Sequence, residues 1–277
     1  MRSAVDPHSI ANEIRMSRTV RRHAAALLVE GSKDMRVFRN LVDESSCEIV
    51  ATDGKRNALG ALNVLRRSGQ RGILAIVDSD FSKVDGQQII DPDILTTDLH
   101  DIEAMVLKSP APQKLMIEYD LAVNKFGADV GHVVAKAVVP LGYLRLVSLK
   151  QKLSLGFADL DFKTFVDPGP PVAIDSARLV RETLKRNPRC KHNEAALSQM
   201  MTDAKHDAHD QWHVGCGHDM TAVFATLLSK ELGREIQSYT IERQLRLAYQ
   251  SEHFAATSLF AAIRDWEQRN QPYVILR

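Results

Sequence analysis

Apolar runs without alternation stand out in the first eighty residues: AAALLV (24–29) and GILAIV (72–77). Runs of this length and character are what strands buried on both faces look like. CEIVAT (47–52) reads as a further strand between them. Helical spacing fills the gaps. Over 33–44, Met35, Val37, Phe38, Leu41 and Val42 fall on one face, and a second helix is predicted over 56–67 after an Asp53-Gly54 turn. Residues 8–23 form an amphipathic, Arg-rich pattern with Ser9 as cap and Glu13 behind it. After a loop holding Gly86 and Pro92, DILTT (93–97) reads as a fourth strand leading into HDIEAMVL (100–107). Strands alternating with helices across short connections predict an α/β fold, a parallel sheet flanked by helices.

From about residue 108 the rhythm changes. Residues 112–139 read as helical, interrupted by Gly127 and Gly131, and 141–149 with 152–157 read as a hairpin-like pair. The DPGPP stretch (167–171) is the clearest break and is read as a loop. Beyond it helices are predicted over 175–186, 192–209, 219–232, 239–250 and 256–268. The expected organisation is a sheet domain over 1–110 and a mostly helical region over 111–277, packed with the first as one body.

Open parallel sheets bind ligands at the carboxyl ends of their strands. Glu30 ends the first predicted strand and Asp78 the third. Strand alternation would turn Asp78 and Asp80 the same way. Gly31 would let the chain turn sharply beside Glu30, and Asp34 would fall in the first turn of the next helix. Four carboxylates gathered there repel one another, and a divalent cation relieves that repulsion. Oxygen-only ligands suit Mg²⁺, Mn²⁺ or Ca²⁺. Such ions orient phosphate oxygens and activate water.

LLVEGSKD (27–34) together with AIVDSD (75–80) resembles the Toprim domain, the catalytic fold of topoisomerases, bacterial primases and OLD-family nucleases. TTDLHDIEAMVL (96–107) and GHD (217–219) resemble the DUF4435 group of Toprim-like proteins. The resemblance implies a Toprim-like sheet over roughly 22–110 and Mg²⁺- or Mn²⁺-dependent cleavage of nucleic acid, DNA or RNA including tRNA. Glu30, Asp78 and Asp80 would be its catalytic groups, with Asp34 as a further acid. Asp101 or, preferably, Glu103 would supply a second metal ligand. It also implies a partner ATPase of the ABC or AAA type and a role in anti-phage defence, as in PARIS-type systems. No tyrosine nucleophile or primase-type zinc motif stands out, which favours hydrolysis by water. The alternative is a non-catalytic Toprim-fold module that docks nucleic acid or a partner.

Lys55, at a strand end, and Lys83, just past the Asp-x-Asp, are candidates for contacting substrate phosphate. His218 and Asp219 are candidates for lining the pocket from the second half. His206, His209, His213, Cys216 and His218 crowd one segment, so a zinc site is a further reading, set against a polar helix end with Asp219 as the cap of the next helix. No Walker-type loop is present. Net charge is +1, so nucleic-acid binding would need a local basic surface. Arg2, Arg15, Arg18, Arg21, Arg22, Lys33 and Arg36 offer one. Three cysteines fit a reducing cytoplasm better than a disulfide framework, and no apolar run is long enough to span a bilayer. A homo-oligomer is left open.

Overall fold

In a computed structural model, residues 6–127, 129–207 and 209–277 are described. Arg2, and residues 128 and 208 within two of the expected helices, lie outside them. The first half of the chain runs α1 (Pro7–Val20), β1 (Ala25–Val29), α2 (Ser32–Phe38), β2 (Cys47–Ala51), α3 (Lys55–Arg67), β3 (Ile73–Val77), α4 (Ser82–Asp85), β4 (Ile94–Thr96), α5 (Ile102–Lys108) and α6 (Ala111–Glu118). Then come α7 (Val130–Ala137), α8 (Val139–Lys150), β5 (Val166–Asp167), β6 (Ala173–Ile174), α9 (Ser176–Arg186) and α10 (Glu194–Ala204). The last are α11 (Gln211–Val214), α12 (Gly217–Leu232), α13 (Ser238–Ala248), α14 (Ser251–Ala255) and α15 (Ser258–Arg269).

The fold is α/β. Four strands form one parallel sheet in the order β2-β1-β3-β4. Every residue of β1 and β3 is buried, which is why neither shows alternation in the sequence. On one face, Ile10, Ala11 and Ile14 of α1 and Ala58, Ala61 and Leu65 of α3 share a core with Ala26, Leu28, Ile73 and Ala75. Helix α1 starts at Asp6, whose carboxylate accepts from the backbone N–H of His8 at 2.8 Å. Ser9 is the reciprocal partner in that capping box rather than the cap itself.

By packing, the chain divides into two units. The sheet unit holds residues up to Ser79, Gln87–Asp98 and Gln250–Arg277. The helical unit holds Asp80–Gly86 and Leu99–Tyr249. In the sheet unit, residues 250–277 close on the segment after α2. Val42 and Leu276 pair as an antiparallel bridge, and the Asp43 N–H donates to the Ile275 carbonyl at 2.8 Å. The buried Glu267 carboxylate accepts from the N–H groups of Ile275 and Leu276, each at 2.7 Å.

In the helical unit, the stretch read as the first half of a hairpin is α8 instead. It is buried on nearly all sides through Leu141, Tyr143, Leu144, Leu146 and Val147, so its apolar residues trace no single stripe. Residues 112–139 are interrupted at Gly127 as expected, but Gly131 lies within α7 and does not break it. The DPGPP stretch links β5 to β6, a two-stranded antiparallel pair, and is a loop within this unit. No single described helix is long and apolar enough to cross a membrane.

Candidate functional site

Parallel pairing of β1 with β3 puts Glu30 and Asp78 at the carboxyl ends of neighbouring strands. Glu30 Oε1 accepts from the Asp78 backbone N–H at 2.8 Å. Asp34, at the third position of α2, turns back so that Oδ2 accepts from Gly31 N–H at 2.7 Å. Its negative charge also suits the helix N-terminus. Lys55, the first residue of α3, donates from Nζ to the Asp78 carbonyl at 2.6 Å. Thr52 Oγ1 donates to the Val29 carbonyl at 2.9 Å and Gly54 N–H to the Glu30 carbonyl at 2.8 Å, tying the end of β2 to that of β1. Glu30, Asp34, Lys55 and Asp78 thus all lie at the carboxyl end of the sheet, each half-buried, and the hydrogen bonds that join them run to backbone groups. Among the described residues, the acid-containing groups whose ligand atoms lie within 4.8 Å of one another are both in the helical unit. The three acids at the sheet end would offer oxygen alone, the chemistry that Mg²⁺ and Mn²⁺ take.

Gly31 lies at φ −139°, an extended backbone open to any residue, so the turn after Glu30 does not draw on glycine's freedom. Asp78 and Asp80 are not consecutive same-face positions of a strand, because β3 ends at Val77 and Asp80 has φ +48°. Aspartate tolerates that left-handed conformation better than most side chains.

Asp80, Lys83, Glu103 and His218 belong to the helical unit. Lys83 is exposed on α4. Glu103 and His218 come together with Glu242, and ligand atoms of the three lie within 4.8 Å of one another. His218 Nδ1 is 2.6 Å from Glu242 Oε1, and Arg246 stands 3.8 Å from the other oxygen of that carboxylate. Asp101 is occupied by protein donors. It caps α5 by accepting from Ala104 N–H at 2.8 Å, accepts from Gly217 N–H at 2.8 Å, and lies 3.1 Å from His100 Nδ1. Burial pushes its carboxyl up, but the His100 contact and the two backbone donors outweigh this and hold it below the usual range.

Asp219 does not cap α12. Cys216 is the N-cap, and Asp219 sits one turn in, buried, where it binds Arg145 through Nε at 2.7 Å and Nη2 at 2.8 Å. Burial works against the Arg145 charge, but Asp219 more than offsets it and raises the guanidinium above its usual range. Arg145 also stacks on Phe157, 4.4 Å from the ring centre. A cavity of about 560 Å³ is lined by Asp80, Phe81, His100, Arg145, Phe157 and Cys216. His100 Nε2 is buried there without a hydrogen-bond partner among the described residues.

His100, Arg145 and Glu242 were missed by the sequence reading. Only His100 carried a signal, as the neighbour of Asp101 in the HDIE stretch. The five candidate zinc ligands do not come together as one site. Cys216 groups with His100 and Asp101, His218 with Glu103 and Glu242, and no two of the five candidate ligands share a group among the described residues.

Set against protein-family models and against curated proteins, the chain matches none.

Proposed function

We propose that this chain is a divalent-metal-dependent phosphodiester hydrolase acting on nucleic acid, with Glu30 and Asp78 at the centre of its site. One observation carries the reading: the Glu30 carboxylate rests on the Asp78 amide where two adjacent parallel strands end. Asp34 adds a carboxylate from α2, and Asp80 follows Asp78 by two residues. Mg²⁺ or Mn²⁺ held by the Glu30, Asp34 and Asp78 oxygens would polarise a phosphate and lower the pKa of a bound water. The chain's own part is to hold the carboxylates in place. Lys55 fixes the Asp78 backbone, and Thr52 and Gly54 lock the end of β2 to the Val29 and Glu30 carbonyls at the end of β1. Within the helical unit, Glu103, beside His218 and Glu242, is the candidate ligand of a second metal. A partner ATPase belongs to the same reading and is carried by the Toprim resemblance alone.

The experiment is a calorimetric Mn²⁺ titration of wild type and Glu30→Gln, followed by incubation with plasmid, single-stranded DNA and tRNA. Glutamine keeps an oxygen for the Asp78 N–H while removing the charge, so the fold should survive. Mn²⁺ affinity should fall at least about tenfold, the scale seen when even an outer-shell partner of a metal is lost, and cleavage should fall with it. Wild type that takes up no Mn²⁺ at millimolar concentration would refute the reading and favour a non-catalytic docking module. So would cleavage indifferent to Glu30→Gln.

A further inference from the structure

The opposite end of the sheet carries a different chemistry. Arg15, Arg18 and Arg22 recur at one-turn spacing along and just beyond α1, spanning about 10 Å at 1.5 Å per residue. They face the loop joining α3 to β3. With Arg71, Gln70 and Tyr273 they line a cleft of about 390 Å³ that has no carboxylate in its wall.

The arginines are held, but by neutral acceptors. Arg15 donates to Asn12 Oδ1 at 2.9 Å and to Ser68 Oγ at 2.8 Å. Arg18 donates to the carbonyls of Arg71, Ala24 and Gly72 at 2.6, 3.0 and 2.9 Å, and to Gln70 Oε1 at 3.2 Å. Its guanidinium also sits 5.8 Å from the centre of the Tyr273 ring. Gly72, at φ +68°, leaves no room for a Cβ beside that ring, so the loop and Tyr273 are packed against each other.

No ion pair joins any of the four arginines to a carboxylate among the described residues. Burial pushes Arg18 below its usual range, and Tyr273 and Glu48 offset only part of this. In a chain with 36 basic and 35 acidic side chains, four cations therefore share one cleft without a direct carboxylate partner among the described residues, Glu48 acting on Arg18 only from a distance. Arg18 spends its four terminal N–H groups on protein oxygens and adds charge to the cleft, whereas the exposed guanidinium forks of Arg22 and Arg71 match phosphate oxygens two at a time, and an aromatic wall suits a base or sugar.

We propose that this cleft is a contact site for the phosphate backbone of a nucleic-acid strand, separate from the carboxylate end. The cleft lies where β1 and β3 begin, while Glu30 and Asp78 follow their far ends. A five-residue strand at about 3.3 Å per residue puts roughly 16 Å between the two. Backbone contact here would therefore hold a strand away from the bond being cut. The identity of the polyanion rests on the phosphodiester reading, whereas the anion-binding character of the cleft does not.

The test uses full-length protein in EDTA and a fluorescein-labelled 20-nucleotide single-stranded DNA, followed by anisotropy over a salt series. The variants are Arg22→Glu/Arg71→Glu, at two exposed positions, the Arg22→Lys/Arg71→Lys pair, and, as a control for charge alone, Arg189→Glu/Lys191→Glu at two exposed positions of the helical unit. Each phosphate contact on a single strand contributes about 0.7 to the slope of log K against log salt. The charge reversal in the cleft should lower the slope by about 1.4 and weaken binding at least about tenfold at 0.1 M salt. The lysine pair should keep most of the slope, and Arg189→Glu/Lys191→Glu should bind like wild type. Loss in the cleft variant with retention in the control supports the proposal even where the Mn²⁺ titration fails. A charge-reversed cleft that binds with wild-type affinity and slope would overturn it. So would wild type that does not bind at low salt, or equal binding of poly-glutamate, which would make the cleft a site for acidic peptides.

Discussion

Replacing Asp101 by alanine should destabilise the helical unit by about 4 kcal/mol. Three losses contribute. The α5 cap contact to Ala104 N–H is lost, at about 1 kcal/mol. The buried Gly217 N–H is left without an acceptor, at about 1–3 kcal/mol. His100 Nδ1 is stranded in a buried position, adding a similar amount. For a unit of this size, each kcal/mol lowers the melting temperature by about 2–4 °C, giving a fall of roughly 8–16 °C. Asp101→Asn keeps one carbonyl oxygen but turns an amide towards remaining donors, so about half the effect is expected. The chain's two tryptophans divide the measurement, because Trp212 lies in the helical unit and Trp266 in the sheet unit. In a Trp266→Phe background, guanidinium unfolding followed by fluorescence reports on the helical unit. The pH dependence has a definite sign. A carboxyl whose folded pKa is depressed stabilises above its unfolded value, near 3.9, and that contribution fades as pH falls through the folded value. The gap between wild type and Asp101→Asn should therefore be full at pH 7 and close in acid. A loss below 1 kcal/mol, or a gap that widens in acid, would refute the bonding described for Asp101.

Two further outcomes follow from the same packing. Burial pushes the Cys47 thiol up to about 12, and burial with the nearby Asp101 and Asp219 carboxylates pushes Cys216 well above the usual thiol range. At pH 8, folded protein should therefore react with a thiol reagent at Cys190 first, the other two responding only in denaturant; three equally fast thiols would contradict this. Asp219→Ala should cost about 3 kcal/mol by leaving Arg145 without its counter-ion, with Asp219→Asn milder, both read from the guanidinium midpoint.

The sheet was legible because its strands are buried on both faces. Five apolar residues ending at Glu30, and five more ending at Asp78, leave few alternatives, and parallel pairing follows from the helices between them. Helix α8 was not legible for a related reason: burial on nearly all sides erases the stripe that separates a helix from a strand. Gly142 within it also looks like a breaker. Its hydrogen atom instead faces the Val214 backbone, where no side chain fits. The start of α12 was misread because its first N–H is satisfied by Asp101, 116 positions earlier, and not by a nearby side chain. Arg145 and Glu242 were hidden in the same way. Their partners, Asp219 and His218, are 74 and 24 positions away, and no local spacing announces such pairs.

The return of residues 250–277 to the sheet unit sets an order of assembly during synthesis. While the ribosome is still making the helical unit, the chain just past α2 has nothing to close it, and Leu41 and Val42 stay open to water or to a chaperone. A fragment stopped at residue 110 would keep all four strands of the parallel sheet yet remain in that unfinished state. Supplying 250–277 as a separate peptide should complete it, so the sheet could be switched on by adding a second piece.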